Sequence, residues 1–120
     1  MKLFRSLPRT AEAQVVGKQL LRSATSVAAN YRAACRARSK QEFISKVGIV
    51  IEEADESVFW IELMADTGIL PANRLEALVQ EARELLAIFA ASQLTAKRRV
   101  NAPPIVNQKS AIVNSSRLSL

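Results

Sequence analysis

From Phe43 to Met64, apolar and small residues recur at alternating spacings of four and three, through Val47, Val50, Ala54, Ser57 and Ile61. Seven residues per two turns keep one stripe of an α-helix on one face. This segment therefore reads as a helix that packs along its whole length, and not as a strand, whose period is two. Both ends are marked. Ser39-Lys40-Gln41-Glu42 is a capping box directly before Phe43: the Ser39 hydroxyl accepts from a first-turn amide, and Glu42 reaches back from three residues on. Thr67-Gly68 closes the segment, because glycine adopts the left-handed helix cap without a Cβ penalty. A helix over about 39–67 follows.

The same signals divide the rest of the chain. Pro8 ends a short helix over 2–7, and Thr10 is the N-cap of a long one over 10–36. Gly17 inside it costs up to about 1 kcal/mol relative to alanine. Pro71 suits a first helical turn, and Leu75, Leu78, Ala82, Leu85, Phe89 and Ser92 give a last helix, over 71–98, the seam of a bundle. With three glycines and four prolines in 120 residues, the composition is helix-forming throughout and the length is that of one domain. The expectation is an all-α fold over 1–99. Residues 100–120, with Pro103-Pro104 and no usable periodicity, read as a disordered polar tail.

Charge adds a functional hint. Lys18, Arg22, Arg32 and Arg36 fall within an arc of roughly 80° on the helix over 10–36, and nothing acidic interrupts them. The apolar face of that helix carries Ala13, Val16, Leu20, Ala24, Val27, Ala28, Tyr31, Ala34 and Cys35, which makes Cys35 a small packed residue. The net charge of +6 hides a segregation. Residues 1–50 hold ten bases against two acids, residues 51–92 nine acids against two bases, and residues 93–120 five bases and no acid. Two outcomes are open: the blocks neutralise one another across helix contacts, or the basic surface stays exposed to nucleic acid or an acidic partner.

Enzymatic chemistry has little to stand on. There is no histidine, so no Ser-His or Cys-His arrangement exists, and the glycines are too scattered for a phosphate loop. Glu53 and Glu56 form half of a carboxylate metal motif without the E-x-x-H that di-iron bundles use. No catalytic residue, metal or cofactor is expected. The absence of an 18-residue apolar run and of a signal-peptide pattern points to a cytoplasmic protein.

Phosphate binding is the leading functional expectation. Its candidates are Arg22, Arg32, Arg36, Arg38, Lys40 and Lys46, with Lys97, Arg98 and Arg99 as a second cluster at a helix C-terminus. Such contacts hold an RNA or DNA backbone without reading its bases. Aromatic interleaving is absent from the stripe, so no stacking platform is indicated there. Of these cations, Arg22 and Arg32 have Glu52 to Glu56 available as internal partners, which leaves Arg36, Arg38 and Lys40 for phosphate. On the middle helix, Ile49, Phe59, Trp60 and Leu63 lie opposite the seam among Glu52, Glu53 and Glu56. A helix apolar nearly all round needs cover on both sides, either from its neighbours in the chain or from a second subunit, with Ile49, Glu53, Glu56, Trp60 and Leu63 as the candidate interface.

Three ordered blocks carry a family resemblance: Gln19-Leu-Leu-Arg-Ser-Ala-Thr-Ser-Val-Ala-Ala-Asn30, Ala37-Arg-Ser-Lys-Gln-Glu-Phe-Ile44 and Glu53-Ala-Asp-Glu-Ser-Val-Phe-Trp-Ile-Glu-Leu63. They resemble the small bacterial four-helix-bundle proteins encoded in intervening sequences of 23S ribosomal RNA genes, once labelled ribosomal protein S23. The likeness covers about residues 3–97. It implies an up-and-down antiparallel four-helix bundle assembled into a ring-like homopentamer. One branch of that family is the accessory variability determinant of diversity-generating retroelements, which implies a reverse transcriptase and nucleic acid as partners. An oligomeric scaffold that receives an acidic protein is the competing expectation. The family's first helix is long, whereas only seven residues precede Pro8 here, as though most of that helix were missing: either the start is assigned too late, or this member packs three and a half helices.

Overall fold

The computed structural model describes residues 2–101, and those residues are all helix and turn. Helix α1 is a single turn, Lys2–Arg5; α2 spans Ala11–Cys35, α3 Lys40–Asp66 and α4 Ala72–Val100. Of the tail expected over 100–120, Val100 closes α4 and Asn101 follows it; residues 102–120 lie outside the described residues.

The caps act as the sequence implies. Thr10 is the N-cap of α2, its Oγ1 accepting from the Ala13 amide at 3.3 Å. Ser39 caps α3, accepting from the Glu42 amide at 3.0 Å. The return half of the box is displaced by one residue, since Glu42 Oε2 accepts from the Arg38 amide at 3.4 Å. At the other end of α3, Gly68 has φ +73°, its amide donates to Ala65 O at 3.3 Å, and the Ile69 amide donates to Met64 O at 3.0 Å. This pair of backward bonds is a Schellman motif, which satisfies carbonyls that the helix end would leave bare.

Helix α3 is central, with α2 packed on one side and α4 on the other. Its seam is buried as expected from Val47 to Met64, with Val58 added and Phe43 only half-buried. The main hydrophobic cluster sits at one end, where Leu7, Val16, Leu20, Ile61, Met64, Leu70 and Leu75 meet. Between α2 and α3 lies a small polar layer: Ser57 Oγ donates to the buried Ser23 Oγ at 2.9 Å, and Ser23 in turn donates to Leu20 O at 3.1 Å. A buried hydroxyl pair whose hydrogen bonds are completed by helix carbonyls fixes register at little cost in stability.

Two expectations about the packed faces are corrected. Along α4 the residues turned toward α3 are Leu75, Val79, Ala82, Leu86, Phe89, Gln93, Ala96 and Val100, each buried or half-buried. The expected row shares Leu75, Ala82 and Phe89 with it, and its Leu78 is half-buried against the core cluster, but Leu85 is 50 % exposed and Ser92 is also exposed. On α2, Ala28, Tyr31 and Cys35 extend the row of Ala13, Gly17, Leu20 and Ala24, yet they are exposed, so Cys35 is not packed. One physical reason covers both. The outer rows of α2 and α4 are covered only near the end where Leu3 and Leu7 join the core cluster, because α1 is one turn long. Tyr31 and Phe89 touch across the remaining gap, with ring centroids 5.4 Å apart.

Candidate nucleic-acid interface

In an up-down-up order of three long helices, the end of α2, the turn to α3 and the end of α4 must come together. That places Arg36, Arg38 and Lys40 beside Lys97, Arg98 and Arg99 at the end of the molecule opposite α1. A shallow groove of about 550 Å³ runs between them, bordered by Lys40 and Arg99 and lined by Phe43, Ile88, Ser92 and Thr95. Gln93 fastens α4 to the first turns of α3, its Nε2 donating to Ile44 O at 3.2 Å. A Cβ on Gly48 would stand 3.2 Å from that nitrogen, so the glycine keeps the approach close.

Arg36, Lys40, Lys97 and Arg98 are exposed and have no ion-pair partner among the described residues. Arg38 holds Glu42 loosely, Nε to Oε2 at 3.8 Å. Glu42 is the single acid that the turn and the first turn of α3 bring to this end. The cations at the last turn of α4 also sit at the negative end of its dipole, which stabilises them there.

Arg22 is placed differently. Its Nη2 donates to Glu56 Oε1 at 2.6 Å, and the indole nitrogen of Trp60 donates to the same oxygen at 3.1 Å. Glu53 Oε2 lies 3.3 Å from that guanidinium nitrogen, a charge contact without hydrogen-bond alignment, and is buried with no hydrogen-bond partner. The Arg22 bond, and then that of Trp60, holds the Glu56 carboxyl below the usual glutamate range, while Glu56 and Glu53 raise the Arg22 guanidinium. Arg22 is thus the internal pair expected for it. Arg32 is not: it is exposed with no ion-pair partner among the described residues. In an antiparallel pair, ten residues further along α2 corresponds to ten residues back along α3, which brings Arg32 opposite Ser45 and the half-buried Lys46, where there is no acid.

The remaining candidates divide by exposure. Ile49, Glu53, Glu56, Trp60 and Leu63 are half-buried, with Trp60 and Leu63 packed against the core cluster. Phe59, outside that candidate set, is 55 % exposed and meets the Trp60 ring edge to face at 4.9 Å. A further charge contact joins α3 to α4, from Arg83 Nη2 to Glu62 Oε1 at 2.7 Å. Among the described residues, no three carboxylate or thiol groups gather as a metal site would need.

Comparison with known proteins agrees with this architecture. Residues 1–91 match the family described as 23S rRNA-intervening sequence protein. The chain belongs to this family. A crystal structure of a protein of unknown function from the S23 ribosomal protein family of Bacteroides thetaiotaomicron VPI-5482 superposes with a TM-score of 0.71. The two are 32% identical over 77% of this chain and 85% of the other. No curated protein sequence matches.

In this member of the family the cations are legible in the sequence, but the groove between them is not. Phe43 reads as seam, and Ile88 and Thr95 lie outside the one α4 row, Leu75 to Ser92, that periodicity brings out. A signal was present in α4, whose exposed Leu85 and Ile88 extend apolar surface beside the packed row. No helix among the described residues is long and apolar enough to cross a membrane.

Proposed function

We propose that this protein is a non-catalytic cytoplasmic bundle that binds the backbone of RNA or DNA through the basic end formed by Arg36, Arg38, Lys40, Lys97, Arg98 and Arg99. The observation that carries this reading is the meeting of two basic segments, separated by more than fifty residues of sequence, around one groove. A cluster of this kind releases counterions when it binds phosphates, and the affinity falls steeply with salt. It positions a strand without reading sequence. Arg22 takes no part, since Glu56 and Glu53 already hold it.

The test is a salt titration against mixed-sequence RNA and DNA. Binding with a steep salt slope is expected, shallower in a variant carrying Arg36→Glu, Lys40→Glu and Arg98→Glu. Absence of binding at low ionic strength overturns the proposal.

Self-association belongs to the same reading, in the ring-like arrangement of four-helix bundles that the resemblance implies. Exposed Phe59 supports it, because a phenyl ring in water beside half-buried Leu63 offers an anchor for a second copy. Light scattering on the full chain should give a mass several times that of one chain, reduced by Phe59→Ser. A monomer in the unsubstituted protein refutes it.

A further inference from the structure

We infer that the groove at the basic end takes unpaired nucleic acid, seating exposed bases on Phe43 and Ile88 while Lys40 and Arg99 hold the phosphates on either side. The inference rests on the backbone-binding reading above and narrows it to a class of strand.

Cations alone favour a duplex, which carries more charge per unit length than a single strand and releases more counterions per phosphate neutralised. The basic end holds more than cations. Lys40 and Arg99 border a trough whose lining is apolar at Phe43 and Ile88, with the hydroxyls of Ser92 and Thr95 beside them. Ile88 is 58 % exposed and Phe43 half-buried, so both present carbon surface to water within the field of the basic cluster. A duplex keeps its bases stacked inside and would leave that surface wet. An unpaired strand has bases to place, and a phenyl ring accepts any of them because every base has a π-face. The charge of the rim suits an anionic strand, and the apolar trough suits the part of that strand that a duplex hides.

Ser92 Oγ already donates to Ile88 O at 3.0 Å, so its remaining capacity is as an acceptor, suited to an amino group on a base edge and not to a phosphate. Phosphate contacts therefore fall to Lys40 and Arg99, to the Thr95 hydroxyl and to the cations beyond them. The cationic stripe on α2 contains no aromatic residue; the ring comes from the start of α3 and is brought among cations only by folding.

The test uses the full chain and one mixed sequence, offered as single-stranded RNA, as single-stranded DNA and as the corresponding duplexes, each titrated by fluorescence anisotropy at several salt concentrations. Single strands should bind about ten-fold more tightly than duplex at equal salt, as one stacked base contributes. Ile88→Asp, at an exposed position, and Phe43→Ala should both abolish that preference, read as the ratio of single-strand to duplex affinity; Phe43→Trp should keep it. Thermal melts of each variant show that the bundle persists. Duplex bound as tightly as single strand, or a preference that survives both Ile88→Asp and Phe43→Ala, overturns the inference while backbone binding stands. Failure of every oligonucleotide at low salt, including the case in which an acidic amphipathic peptide binds instead, overturns both.

Discussion

The guanidinium of Arg22 on α2 donates to the Glu56 carboxylate on α3 at 2.6 Å, and Trp60 donates to the same oxygen from one turn further along α3. Because those bonds favour the charged form, the Glu56 pKa is lowered. A lowered carboxylate pKa contributes stability that is complete above the unfolded value and lost as pH falls through the folded one. Glu56→Gln is therefore expected to lower the melting temperature at neutral pH, by an amount that shrinks below the ordinary glutamate value of about 4.3. Salt should shrink it as well, since the pair is open to solvent. Melting curves of both proteins across pH and ionic strength check this, and a difference that does not change with pH contradicts it.

The packing of α4 gives a paired prediction. Leu86 lies in the row that faces α3, whereas its neighbour Leu85 is half exposed. Leu86→Ala should destabilise by about 1–3 kcal/mol and Leu85→Ala by less than about 0.5 kcal/mol. Urea midpoints measure both, and the reverse order would restore the row expected from the sequence.

Gly68 has φ +73°, and a Cβ at this position would meet nothing within 4 Å, so the backbone conformation alone sets the cost of replacing it. Gly68→Ala should cost about 1 kcal/mol, the penalty of a Cβ in the left-handed region. A neutral result in urea denaturation would mean that the turn after α3 adopts another form in solution.

Cys35 is exposed beside Tyr31, whose hydroxyl it raises above the usual pKa by hydrogen bonding. Ellman's reagent should label the folded chain at one thiol, at a rate close to that of the denatured protein. Protection until unfolding would return Cys35 to the core. Cys35→Ser should shift stability by less than about 0.5 kcal/mol, as at other surface positions.

Much of the fold is legible in the chain because its determinants are local. Thr10, Ser39 and Gly68 end their helices through bonds to atoms a few residues away, and the seam from Val47 to Met64 repeats at the period of a helix. The Arg22 pair is legible too, since Glu53 and Glu56 are its nearest acids on a packed helix. What could not be read is which of two neighbouring apolar rows on α4 meets α3, that Tyr31 and Cys35 stay in water, that Arg32 falls opposite Lys46 instead of an acid, and that Phe43 joins Lys40 and Arg99 at one groove. Those rows differ by a fraction of a helical turn, and their local energies are nearly the same. Only the register of packed helices, and the short reach of α1, decides which side chains are covered.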